Sequence, residues 1–292
     1  MTLSASSVTW RGLTFVGSRG DGSRPWFDTL DGWEELPDIR RESTPRFGNH
    51  GSFDSAVWSD ERVVVLAGAC RSTTERDAQL MSLSGVMTLG SANPEDLTVT
   101  HAGRTLTVSA RLTRFKAPPG RDWATGRFTW AAEWVCSDPL RYASPVTLTT
   151  GYPAPAGGLE YDLYTDGAGV DLGFLEYGAS SPTGRLVLVN PGTANVSPVF
   201  KITGPVVGGF ELIRTGTGDR LRYVGDIPAG STVTLDSSDA TVLMDGIYDR
   251  AGNLTIRDWW AIGAGSSVDV TFIPTSSFSA ASLAVTFSPG WW

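Results

Sequence analysis

The chain has 292 residues, enough to bury a large core, and ordinary domain sizes make two domains the leading expectation. Its 34 Gly and 17 Pro favour many turns over long helices, and a net charge of −8 is unevenly spread: residues 1–150 hold 16 Lys+Arg against 17 Asp+Glu, residues 151–292 hold 7 against 14. That acidic second half disfavours sequence-independent nucleic-acid binding; no stretch reaches the roughly 18 apolar residues of a membrane span, and MTLSASSVTWRGLTF lacks the basic-then-apolar order of a secretory signal.

Residues 8–16, VTWRGLTFV, read as a first strand. Gly17 to Pro25 is a loop, Trp26 to Pro37 is aromatic but irregular, and Asp38 to Asp60 is polar and Gly-rich, the composition of a long surface loop or arm. Arg62 to Cys70 is a buried strand. Ser72-Thr73-Thr74-Glu75 then matches a capping box, which predicts a helix carrying Ala78, Leu80, Met81, Leu83 and Met87 as far as Gly90. Asp96 to His101 and Arg104 to Phe115 flank Ala102-Gly103, a two-residue hairpin signal, and Leu106, Val108, Ala110 and Leu112 alternate with period two. After an exposed loop at 116–124, Thr125 to Cys136 returns as a strand with Phe128, Trp130 and Trp134 on one parity, and Pro139 ends it.

Tyr152 to Gly158, YPAPAGG, has the composition of an interdomain connection, so the boundary falls between Tyr142 and Gly158 and divides the chain into domains 1–148 and 149–292. Beyond it, Arg185 to Val189 is a short apolar run ending in Asn190-Pro191-Gly192, where Pro presets φ and Gly can accept positive φ. A second run closes at Gly204-Pro205, and the same grammar recurs at Phe210–Arg214, Arg220–Val224, Ser231–Leu235, Val268–Ile273 and Leu283–Phe287. The fold expected is mainly β: two sandwich-like domains, the first with one α-helix.

No catalytic set emerges. His50 sits in the polar loop and His101 beside a turn, with no G-x-S-x-G elbow near either, so a histidine-dependent hydrolase has little to stand on. Two His and two scattered Cys cannot make an ordinary zinc site, Cys70 and Cys136 read as reduced core thiols, and no G-x-x-x-x-G-K cradles a phosphate. Glu160, Asp162, Asp166, Asp171 and Glu176 cluster in sequence but lack the D-x-D-x-D-G order of a calcium loop; a glycosidase pair made by the fold is the third functional reading. Neither catalytic residues nor a cofactor nor a metal are therefore expected. Two Trp pairs do invite a function. Trp259-Trp260 and Trp291-Trp292, if extended, point their neighbouring rings to opposite faces, leaving one of each pair for a protein contact or a stacked sugar.

VTWRGLTF, RVVVLAGAC with its following helix, FTWAAEWVCSDPLRY, LVLVNPGTANVSPVFKITGP, IPAGSTVTLD and SLAVTFSPGWW, in that order, resemble the distal tail proteins, also called minor tail proteins, of bacteriophages with long non-contractile tails. The resemblance implies a first β domain assembling into a homo-hexameric ring, a galectin-like or jelly-roll-like second domain, and a virion hub joining the tail tube to the tip or baseplate, made in the host cytoplasm. DNA would pass through its channel without sequence-specific binding, and the family brings no catalytic residues. The alternative from another class is a lectin-like module holding host-wall glycan on Trp259, Trp260, Trp291 or Trp292.

Overall fold

The computed structural model describes residues 6–17, 24–54, 56–71, 73–88, 93–152, 183–275 and 280–292. It is mainly β with one α-helix and divides into two compact units, Met1–Ser144 together with Trp291–Trp292, and Pro145–Gly290.

In the first unit the strands are β1 (Ser7–Trp10), β2 (Leu13–Val16), β3 (Trp26–Asp31), four short strands β4 (Ile39–Arg41), β5 (Thr44–Pro45), β6 (Ser52–Phe53) and β7 (Val57–Ser59), then β8 (Arg62–Arg71), the helix α1 (Arg76–Val86), β9 (Glu95–His101), β10 (Arg104–Lys116), β11 (Arg127–Cys136) and β12 (Arg141–Tyr142). The stretch 8–16 is a hairpin, not one strand, because Arg11 and Gly12 take positive φ (47° and 79°) and reverse the chain. Residues 26–31, expected to be irregular, pair as β3 with β8.

Hydrogen bonding runs β11-β8-β3-β2-β1-β9-β10 and returns from β10 to β11, so seven strands close into a barrel where the sequence suggested a sandwich. Closure depends on β10. Its first half, Arg104–Ala110, pairs with β9, and its second half, from Arg111 to Lys116, pairs with Ala131–Val135 of β11 across a register shift between Leu112 and Arg114. Inside, Trp10 meets Trp134 edge-on at 5.7 Å and Phe15 lies 5.1 Å from Trp130. Trp134 is fully buried, and removing a ring of that size from a core costs about 3–5 kcal/mol. The two thiols sit far apart on one ladder: Cys70 faces Phe128, Cys136 faces Arg62, and eight rungs separate them by roughly 26 Å, beyond any disulfide.

The helix starts later than the capping box predicts. Thr73 to Glu75 form a turn, Glu75 occupies the N-cap without a side-chain cap bond, and the buried face is Gln79, Leu83 and Met87, leaving Ala78 and Met81 exposed. Its C-terminal end is tied down by Arg11 instead. That guanidinium donates to both Glu95 carboxylate oxygens at 2.7 Å, to the Val86 carbonyl at 3.0 Å and to Thr88 Oγ1 at 2.9 Å, so a cation from the β1–β2 turn meets the negative end of the helix.

The second unit begins with β13 (Val146–Gly151) and continues with β14 (Arg185–Asn190), β15 (Val199–Thr203), β16 (Phe210–Thr215), β17 (Arg220–Tyr223), β18 (Thr232–Asp236), β19 (Thr241–Met244), β20 (Tyr248–Asp249), β21 (Leu254–Arg257), β22 (Ser266–Pro274) and β23 (Ser282–Phe287); β24 (Gly290–Trp291) starts at its last residue. Two antiparallel sheets result, β13-β23-β15-β18-β19-β20 and β14-β22-β16-β17-β21. Alternation decides the faces: in β14 Leu186, Leu188 and Asn190 point inward while Arg185, Val187 and Val189 point out. Tyr152 stacks on Phe272 at 4.3 Å, and Phe272 meets Phe210 edge-on at 5.8 Å.

Asn190-Pro191-Gly192 reverses the chain for other reasons than turn composition suggests. Asn190 is fully buried, its Nδ2 donating to the carbonyls of Ala194 (2.8 Å), Gly263 (3.1 Å) and Ile262 (3.3 Å), while its Oδ1 accepts the Gly192 N–H at 3.0 Å. Gly192 does not take positive φ; it is there because a Cβ would stand 2.0 Å from the Gly290 carbonyl oxygen, which itself accepts the Ala194 N–H.

Candidate interaction surfaces

The segment from Asp38 to Asp60 projects as a two-tier ribbon in which β4 pairs with β7 and β5 with β6. It is closed at the base by the Asp60 N–H on the Asp38 carbonyl (2.7 Å) and by Arg40 on Asp60 (2.6 Å), and at the tip by the Arg46 N–H on the Gly51 carbonyl (3.0 Å). A two-stranded ribbon alone is marginally stable in water. This one nevertheless presents Ile39, Phe47, Phe53, Val57 and Trp58 outward, with Trp58 67% and Phe47 fully exposed. Ile39 and Trp58, with Arg40, Arg41 and Glu42, line a cleft of about 790 Å³ on the ribbon. Large exposed apolar side chains gathered on one arm are a pattern that marks interaction surfaces.

Two buried arginines fix the root of the arm. Arg62, 1% exposed, follows it and donates back to the segment that precedes it: Nη1 reaches the carbonyls of Gly32 (2.7 Å), Trp33 (3.1 Å) and Glu35 (2.8 Å), and Nε reaches Pro139 (2.8 Å). Burial and the nearby Arg141 lower its pKa to about 10, so it remains charged at neutral pH. Arg141 sits over the Trp33 ring at 5.5 Å, pairs with Glu34 at 3.0 Å and donates to the Trp292 carbonyl. Sequence reading missed both, since an Arg opening a strand looks like any surface cation.

The four tryptophans singled out by adjacency divide within each pair. Trp260 is 5% exposed and meets Phe200 edge-on at 5.5 Å, whereas Trp259 is half-buried. Trp291 packs against the first unit's core and Trp292 is 41% exposed. The structure brings the two pairs into different units. His50 lies exposed on the arm, and His101 Nδ1 is 2.7 Å from Ser6 Oγ. The carboxylates from Glu160 to Glu176, and all of the 152–158 connection except Tyr152, lie outside the described residues. Among the described residues no group of three or more His, Cys, Asp or Glu is placed to hold a metal ion.

No protein-family model matches the chain, and no curated protein matches it. Among solved structures it is similar from end to end to the Dit protein of phage SPP1, described as a paradigm of the hub adsorption apparatus in phages infecting Gram-positive bacteria; the TM-score is 0.65 at 13% identity, over 99% of this chain and 100% of that one. Two structures of the phage P2 baseplate in its activated conformation, with Ca and with Sr, align at TM-scores of 0.44 and 0.46 and 11% identity over 96% of this chain and 97% of theirs, too distant to weigh in the argument. At 13% identity the likeness to SPP1 Dit establishes a shared fold across both units.

Proposed function

We propose that this chain is a distal tail protein: a structural hub subunit of a phage tail, forming a homo-hexameric ring through its first unit and joining the tail tube to the tip or baseplate. The observation that carries the reading is the end-to-end likeness to SPP1 Dit, which includes the barrel with its helix and the two-sheet second unit in one alignment. The second unit is then a galectin-like sandwich, the domains divide near residue 148, and the protein is a virion component made in the host cytoplasm.

The arm supports self-assembly. Its outward Phe53 and Trp58 gain from burial about what a core side chain gains, roughly 2 kcal/mol each, but only against another subunit. DNA leaving through the ring would meet a lining that is acidic or neutral, because a basic one would hold the phosphates. Light scattering and negative-stain electron microscopy of the purified full chain test the ring: six-subunit rings are expected, and Phe53→Ser with Trp58→Ser should leave folded monomers with an unchanged far-ultraviolet CD spectrum. Wild-type protein that stays monomeric at high concentration, with no ring in particles either, refutes the proposal.

A further inference from the structure

Among the described residues seven of the chain's 21 arginines are ion-paired with a carboxylate: Arg11 with Glu95, Arg40 with Asp60, Arg76 with Asp77, Arg141 with Glu34, Arg185 with Asp269, Arg214 with Asp219 and Arg222 with Glu211. At one end of the β8–β11 ladder three others gather at a single cavity. Arg71 and Arg127 stand directly opposite one another, both exposed, an arrangement that like-charge repulsion disfavours. Arg121, from the 3₁₀ turn Arg121–Thr125, joins them around a cavity of about 350 Å³. Among the described residues none of the three makes an ion pair; Arg71 lies over the Trp26 ring at 5.3 Å, and Asp122 is the one acid lining the cavity.

In a protein with 31 acidic residues, three arginines around one cavity, with Asp122 as the single acid beside them, point to a ligand from outside the chain. Planar guanidinium forks match carboxylates two bonds at a time. We propose that this cavity binds a carboxylate-bearing segment of a partner protein, its acidic side chains held by Arg71, Arg121 and Arg127. A nucleic acid fits less well, because a backbone requires a track of basic residues along several phosphates, and these three are gathered in one pocket on a chain of net charge −8. The site stands whether or not the hub reading does.

The test is a calorimetric titration of the full chain at low salt with acetyl-Glu-Glu-Phe-Glu-Glu-amide, against its Gln counterpart, inorganic phosphate and a deoxythymidine dodecamer. Saturable binding of the acidic peptide alone is expected, weakened at least about tenfold by Arg71→Gln or Arg127→Gln and unchanged by Arg114→Gln on β10. Arg127→Gln should also melt no lower than the wild type, since it removes repulsion. Absence of binding, binding indifferent to both variants, or phosphate or the oligonucleotide held as tightly through the same arginines overturns the proposal. So does a lowered melting point for Arg127→Gln, which would mean that the pair is already satisfied within the chain.

Discussion

Replacing Asn190 by Ala should cost the second unit about 3 kcal/mol. The estimate follows from which groups lose their partner. The Ile262 carbonyl keeps the Val196 N–H, and the Gly263 carbonyl keeps Ser266 Oγ, but the Ala194 carbonyl and the buried Gly192 N–H are left without one. Two orphaned buried groups at about 1–2 kcal/mol each give that total. Asn190→Asp keeps the shape, yet turns an acceptor toward three carbonyls. A carboxyl there has its pKa raised by burial, so its penalty is complete above that raised value and shrinks as pH falls toward the ordinary pKa of about 4. Urea unfolding followed by the fluorescence of Trp259 and Trp260, with the other nine Trp replaced by Phe in both wild type and variants, reads the second unit separately. A loss below about 1 kcal/mol for Asn190→Ala, or an Asn190→Asp penalty independent of pH between 4 and 8, would refute the reasoning.

Arg11→Ala should cost about 2 kcal/mol, discounted for a side chain still 19% exposed, and speed amide exchange in the last turn of α1; Arg11→Lys should recover less than half, because an ammonium cannot reproduce the fork on Glu95. Burial pushes the Cys136 thiol up to about 12, so neither it nor the buried Cys70 should react with a thiol reagent at pH 8 until denaturant is added; rapid labelling of the native protein would contradict the packing of β11.

Much of this architecture is written locally. Leu106, Val108 and Ala110 alternate inward as period two requires, and Ala102 and Gly103 do turn the chain with φ of 50° and 78°. The arm's polarity announces its exposure. What the sequence does not carry is pairing between distant stretches: closure of the barrel needs β10 to change partner after Ala110 and β3 to lie beside β8, and no residue there advertises either event. The helix start fails for a related reason. A capping box states a local preference, which tertiary contacts overrode when Leu83 and Met87 were drawn to the core. Among the candidate sites, adjacency marked the tryptophans, while Arg71 and the stretch carrying Arg121 and Arg127 are far apart in sequence and only meet in space.

The last two residues rejoin the first unit, with Trp291 against its core and the Trp292 carbonyl on Arg141, so the second unit is spliced into the first at both of its ends. Whatever load the second unit bears is therefore shared by two covalent tethers instead of one. Removing Trp291 and Trp292 would strip packing from the barrel, and a graft that replaces residues 145–290 must hand the chain back in reach of Arg141.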